Sequence, residues 1–234
     1  MGRHFEVRAA SMAATAKQKS AIYMRASKEI YMAAKRGVPD PSSNLALRSA
    51  IEKYRKSCPR DVIDRAIKKA AGGDATNYLE GEYEAFGPAG TLLIVDTLTD
   101  NTNRALVNVR TIITRKGGHL GSVGYNFDNV GLLDFEFQGS EESLEEALVL
   151  EDVDVKEISL EDGIAEVSVA PQDLDKAKEI LTKLGVSEFE VCEVTKLANE
   201  RVKLEGEELT KFKELLSMLD DCEDVQAVYH NVDL

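Results

Sequence analysis

Apolar residues at helical spacing open the chain in three successive stripes. Between Ser20 and Arg36, residues Ile22, Ala26, Ile30, Ala33 and Ala34 share one arc, predicting a helix that Gly37 and Pro39-Asp40-Pro41 end. Leu45 to Ser57 repeats the pattern through Leu47, Ala50, Ile51 and Tyr54. Pro59 suits a first helical turn, and Ile63, Ala66, Ile67 and Ala70 carry a third stripe until Gly72-Gly73 stops it. Three such helices read as a small bundle with its polar arcs outward.

After the glycines the pattern changes to alternating strands and helices. It predicts strands over 81–86 and 91–98 joined at Gly87-Pro88-Ala89-Gly90, a helix over 101–116 and a third strand over 123–127. A second series follows: strand 130–137, helix 143–150, strands 155–160 and 164–169, a helix opened by Pro171, and an extended stretch over 188–194. Leu174, Ala177, Leu181 and Leu184 supply the apolar face of that later helix. The order β-α-β-β-α-β is that of a ferredoxin-like split unit, which closes on its own. The remaining helix, 207–219, and strand, 225–229, cannot bury themselves, while the earlier β-β-α-β piece lacks a helix and a strand. The expected fold is therefore multidomain, α and α+β. A three-helix bundle spans 1–74, and a ferredoxin-like domain over 130–198 is inserted into another made of 75–129 and 199–234.

Charge adds a function to this layout. The 234 residues carry a net charge of −13, which by itself argues against a nucleic-acid partner. The average hides a split: Met1 to Ala71 holds 16 Lys and Arg against 6 Asp and Glu, a net of +10, and Gly72 to Leu234 holds 13 against 36, a net of −23. A basic module on an acidic body points to polyanion contact through the helices. Arg25 and Lys28 in the first helix, Arg48 and Arg55 in the second, and Arg65, Lys68 and Lys69 in the third lie off the apolar arcs and are the expected phosphate ligands.

Other classes find less support. No apolar run approaches eighteen residues, so no membrane partner is expected, and the first twenty residues lack the apolar core of a secretory signal. Cys58, Cys192 and Cys222 are widely spaced and odd in number, fitting a reducing compartment, and His4, His119 and His230 are equally scattered. Neither a metal nor a cofactor is implied, and no small-molecule substrate is evident. Gly87 to Gly90 sits between strands, whereas a phosphate loop opens a helix; the stretch reads as a hairpin turn. Asp96 and Asp100 suggest a carboxylate pair, but no nucleophile or histidine accompanies them. Asp100 or Asn101 fits better as a helix N-cap, and Asp96 as an edge-facing strand residue. A non-enzymatic protein is expected.

The segments Val62–Gly73, Tyr83–Arg104, Arg115–Gly121 and the closing Glu223–Asp233 together resemble the YebC/PmpR family, especially its YeeN-like branch. The resemblance covers nearly the whole chain. It implies an N-terminal helical bundle and two α+β domains, one inserted in the other. It also implies a DNA-binding transcriptional regulator of the bacterial cytoplasm or, alternatively, a ribosome-associated translation factor that binds ribosomal RNA and relieves stalling on proline-rich stretches. The matching positions that would carry contacts are Arg65, Lys68 and Lys69, with Asn101, Asn103 and Arg104 in the Thr99–Arg104 segment. Arg3–Ser11 departs from the family's usual opening, and tryptophan is absent.

Overall fold

The computed structural model describes residues 16–73 and 77–234, with side chains from Lys19 onward, in two compact units. The divergent opening, Arg3–Ser11, lies outside the described residues. The larger unit contains the three helices α1 (Ala16–Arg36), α2 (Leu45–Tyr54) and α3 (Arg60–Ala71). Ala26, Ile30, Leu47, Ala50, Ile63 and Ala66 close a core between them, so the three stripes meet as their spacing requires. Pro59 is the N-cap of α3 rather than its first helical residue.

The same unit continues with β1 (Leu79–Phe86), β2 (Leu92–Thr99), α4 (Thr102–Arg115) and the two-residue β3 (His119–Leu120). Asn126 ends this run. The chain re-enters the unit at Ala198, where Asn199 donates its N–H to the Asn126 carbonyl at 2.8 Å and the Asn126 amide donates to the Glu200 carbonyl at 3.1 Å.

The expected third strand over 123–127 is instead a turn. Glu84 accepts the Val123 and Gly124 N–H groups at 2.5 and 2.6 Å, drawing the backbone away from a ladder. Asp128-Asn129, read as a break in the sequence, lies inside a single strand, β4 (Phe127–Glu136), of the smaller unit.

That smaller unit runs β4, α5 (Glu141–Val149), β5 (Val155–Glu161), β6 (Ile164–Val169), α6 (Leu174–Lys183) and β7 (Val191–Ala198). Its sheet order is β5-β6-β4-β7, the arrangement of a split βαββαβ unit. Leu133, Phe135, Leu144, Leu148, Val167 and Leu181 form its core. Leu184 falls just past the end of α6 and is exposed, so Ile180 takes its expected place.

In the larger unit the returning chain supplies β8 (Val202–Lys203), α7 (Gly206–Asp220), β9 (Val225–His230) and β10 (Val232–Asp233). The main sheet is ordered β3-β1-β2-β9, with β10 and β8 paired in parallel nearby in sequence to the rest. Here β1 and β2 form a hairpin ahead of the first helix, a detail in which this sheet departs from the split unit. β2 is an interior strand, flanked by β1 and β9, so Asp96 is not at an edge. Leu93 and Val95 face α4 and α7 through Val109, Ile113, Phe212 and Leu215. Leu98, at the opposite parity, meets Tyr31 and Met32 of α1. A strand covered on both faces reads as the continuous apolar run seen at Leu92–Val95.

The glycine stretches resolve by local geometry. Gly87 to Thr91 closes the β1–β2 hairpin, with Gly87 N–H on the Thr91 carbonyl at 2.7 Å. At the end of α4, Gly117 adopts φ +86°, and the Gly118 N–H reaches back to the Ile113 carbonyl at 3.0 Å. A Cβ on Gly118 would stand 2.3 Å from the Phe86 carbonyl oxygen, a backbone atom that cannot move aside. Gly118→Ala is therefore expected to lower the thermal midpoint by several degrees, for a loss of about 2 kcal/mol. An unchanged midpoint would contradict the close approach.

Candidate nucleic-acid interface

The cations predicted from the sequence separate into two groups once their partners are seen. Arg25, Lys28 and Arg104 point at their own chain. The Arg25 side chain is only 18 % exposed; its Nε donates to the Val225 carbonyl at 3.0 Å and a terminal nitrogen to the Asp220 carbonyl at 2.7 Å. Lys28 Nζ donates to the Glu223 and Leu98 carbonyls at 2.6 and 3.1 Å and sits 5.6 Å from the Tyr78 ring centre. Burial lowers its ammonium pKa, although Asp224 and Glu223 pull the other way.

Arg104 grips Asp224 with two nitrogens, Nε to Oδ2 at 3.1 Å and a terminal nitrogen to Oδ1 at 2.7 Å, and also reaches Asp100 at 2.9 Å. Asp224 is fully buried. Burial pushes its carboxyl pKa up, but hydrogen bonds from Arg104 and Thr99, and the charges of Arg104 and Lys28, outweigh that and hold it below the ordinary value. The Asp224 bond is also the main reason that Arg104 is held more firmly charged than usual. Together these three cations clasp the turn between α7 and β9, at 220–225. They hold α1 and the start of α4 to it, with their polar atoms committed to partners within the chain.

Asn101 is the N-cap of α4, its Oδ1 accepting the Arg104 N–H at 3.0 Å, which decides between the two cap candidates. Asp100 is spent on Arg104. Asn103 is exposed one residue into the helix. Asn101 and Asn103 thus stand at a helix start whose arginine is turned inward.

The other cations face water. Arg48 is exposed, yet its guanidinium is braced by the Ser42 and Pro41 carbonyls at 3.0 and 3.2 Å, acceptors that leave its full charge in place. Arg55 and Lys68 are exposed. Arg65 is 72 % exposed at the side chain and pairs with Asp61 one turn earlier at 2.5 Å, an ion pair that solvent weakens. Lys69 is exposed and lies 5.4 Å from the ring centre of buried Tyr31.

One residue that sequence reasoning passed over holds this surface together. Asn44 caps α2 through the Leu47 N–H at 3.0 Å and donates its amide to the Ala33 and Val38 carbonyls, both at 2.9 Å. Its cap position after Ser42-Ser43 and before Leu45 was the available signal; the two long-range donations were not readable. Asn44→Ala removes all three bonds at a buried site and is expected to cost about 2 kcal/mol, read as a lower urea midpoint. A loss below about 0.5 kcal/mol would show the loop to be held otherwise.

Among the described residues, no helix is long and apolar enough to cross a membrane, and no group of His, Cys, Asp or Glu is placed to hold a metal ion.

Comparison with known proteins gives a consistent result over the whole chain. Residues 3–73 match the model of the TACO1/YebC protein N-terminal domain, and residues 78–232 that of the TACO1/YebC second and third domain. A probable transcriptional regulatory protein of Mesoplasma florum is 45% identical over 235 residues, covering 99% of each chain. Another from Mycoplasma capricolum is 44% identical over 238 residues and covers all of both. The crystal structure of a conserved hypothetical protein from Aquifex aeolicus matches with a TM-score of 0.75 at 32% identity, over 92% of this chain and 90% of that one.

Proposed function

The chain belongs to the TACO1/YebC family, and from that premise we propose that it is a non-enzymatic transcriptional regulator that binds DNA through its helical segment. The observation that carries the reading is the outward set of Arg48, Arg55, Arg65, Lys68 and Lys69 on a +10 segment, after the internally committed cations are removed. These side chains are exposed to a phosphate backbone, and relatives at 44 and 45% identity bear the name of probable transcriptional regulatory proteins. The acidic remainder of the chain repels the same polyanion and so confines contact to the helices. The proposed domain division keeps 1–74 as the contact module, with 130–198 inserted between 75–129 and 199–234.

A second reading has its own observation. The exposed side chains of α3 from Arg60 to Lys69 are all charged, and its cations can meet phosphate oxygens whatever the base sequence. Contacts of that kind follow backbone geometry, and they suit ribosomal RNA as well as duplex DNA. Salt-dependent binding of the full chain to promoter duplex, random duplex and ribosomes tests both. Tighter binding to promoter fragments supports the regulator. Ribosome binding that outlasts duplex binding as salt rises supports the translation factor. Failure to bind any of the three at low salt would overturn both.

A further inference from the structure

Independently of the helical surface, the smaller unit has an open sheet edge beside an acidic helix. Among the described residues, β5 pairs with β6 on one side only. The two-residue turn at Asp162-Gly163, with φ values of +52° and +81°, makes Glu161 and Ile164 the closing pair of the hairpin. Backbone polar groups alternate along a strand, so Leu160 and Ile158 direct theirs away from β6. The Leu160 N–H confirms this parity: its acceptor is the Glu141 side chain of α5, at 2.8 Å.

A cleft of about 380 Å³ runs between α5 and this edge, lined by Glu141, Glu145 and Val149 on the helix and by Val155, Lys156 and Ile158 on the strand. Glu141, Glu145 and Val149 succeed one another at i, i+4 and i+8, so they lie on one wall for about 12 Å, room for roughly four extended residues. Val149 is 53% exposed and Leu150 75%, an apolar end to an otherwise anionic wall. Among the described residues, Lys156 is the only cation lining the cleft, and Asp154 pairs with it at 2.7 Å. A bulge between Val155 and Glu157 blunts the first part of the edge, leaving Ile158 as its regular open position. The whole segment Phe127–Leu197 holds 20 Asp and Glu against 5 Lys and no Arg, so the field around the cleft is strongly negative.

We propose that this cleft docks an extended, Lys- or Arg-bearing segment of a partner protein, which pairs with the Ile158 backbone and sets its cations against Glu141 and Glu145. Strand addition supplies main-chain hydrogen bonds, and alternate side chains then read the helix wall. Nucleic acid is excluded from this site by its charge.

The test uses the 15N-labelled full chain and a seven-residue peptide of alternating Lys and Val. Expected are amide shifts at Ile158, Leu160 and Glu145. A Lys-Gly peptide of equal charge and a Lys-Val peptide N-methylated on alternate amides should each bind at least about tenfold more weakly. The exposed double substitution Glu141→Gln, Glu145→Gln should weaken the Lys-Val peptide by about tenfold. Equal binding of the Lys-Gly or the N-methylated peptide would reduce the site to charge attraction and overturn strand addition. An Ile158 amide already protected from exchange in the free protein would show the edge closed by a second copy or another part of the chain, and would also overturn the proposal. So would shifts confined to other surfaces.

Discussion

Replacing Asp224 with alanine is expected to destabilise the larger unit by about 3 kcal/mol at neutral pH. The carboxylate is fully buried, accepts two bonds from Arg104 and lies in the field of Lys28. Its loss leaves two cations facing a void. Arg104 retains Asp100 and some access to water, which keeps the effect near the lower end for a broken buried pair. The pH dependence has a definite sign. The folded-state pKa of Asp224 lies below its unfolded value, so the unfolded chain binds the proton more tightly. The stabilisation is complete above the unfolded carboxylate value, about 3.9, and disappears as pH falls through the folded one. Urea unfolding at pH 7 and pH 3 should therefore show a large gap between wild type and Asp224→Ala that narrows in acid. A gap of the same size at both pH values would remove the charge from the explanation.

The other large effect concerns affinity. Reversing Arg55, Arg65 and Lys68 to glutamate should lower duplex binding at 0.1 M salt by at least about a hundredfold. It should also reduce the salt slope by about 3 units, or about 2 on single strands. These side chains are exposed, so the variant should unfold at nearly the wild-type urea concentration. Lys69 is left in place because it sits against Tyr31, and changing it would mix a packing effect into the result. As a contrast, Arg25→Ala breaks bonds to 220–225 and should lower stability while leaving the salt slope of the folded protein unchanged. Wild-type affinity and slope in the triple variant would remove the helical surface from the proposal.

The two predictions separate positions that look alike in sequence. Lys28 and Lys68 both lie off an apolar arc of a basic amphipathic helix. A helical wheel states which side chains leave the local stripe; it does not state what lies opposite. For Lys28 the answer is supplied by Leu98 and by Glu223, 195 positions away. The same holds for Arg104. Its place after a cap at Asp100 or Asn101 was legible, but its acceptor Asp224 belongs to a turn 120 residues later. The mistaken strand over 123–127 has a related cause: alternation there was real, yet Glu84 draws the backbone N–H groups into a turn that local pattern does not encode.

Local chemistry was sufficient for the helices, the Gly117-Gly118 stop, a cap at Asp100 or Asn101 and the insertion of one α+β unit into another. Each follows from periodicity, backbone freedom or the need to bury a lone helix and strand, all of which are written into neighbouring residues. Tertiary structure alone decided which cations remain outward, where the Asp224 clasp forms and which strand edge stays open. Those outcomes depend on groups brought together from distant parts of the chain, where burial and hydrogen bonding, rather than residue type, set what a charge can do.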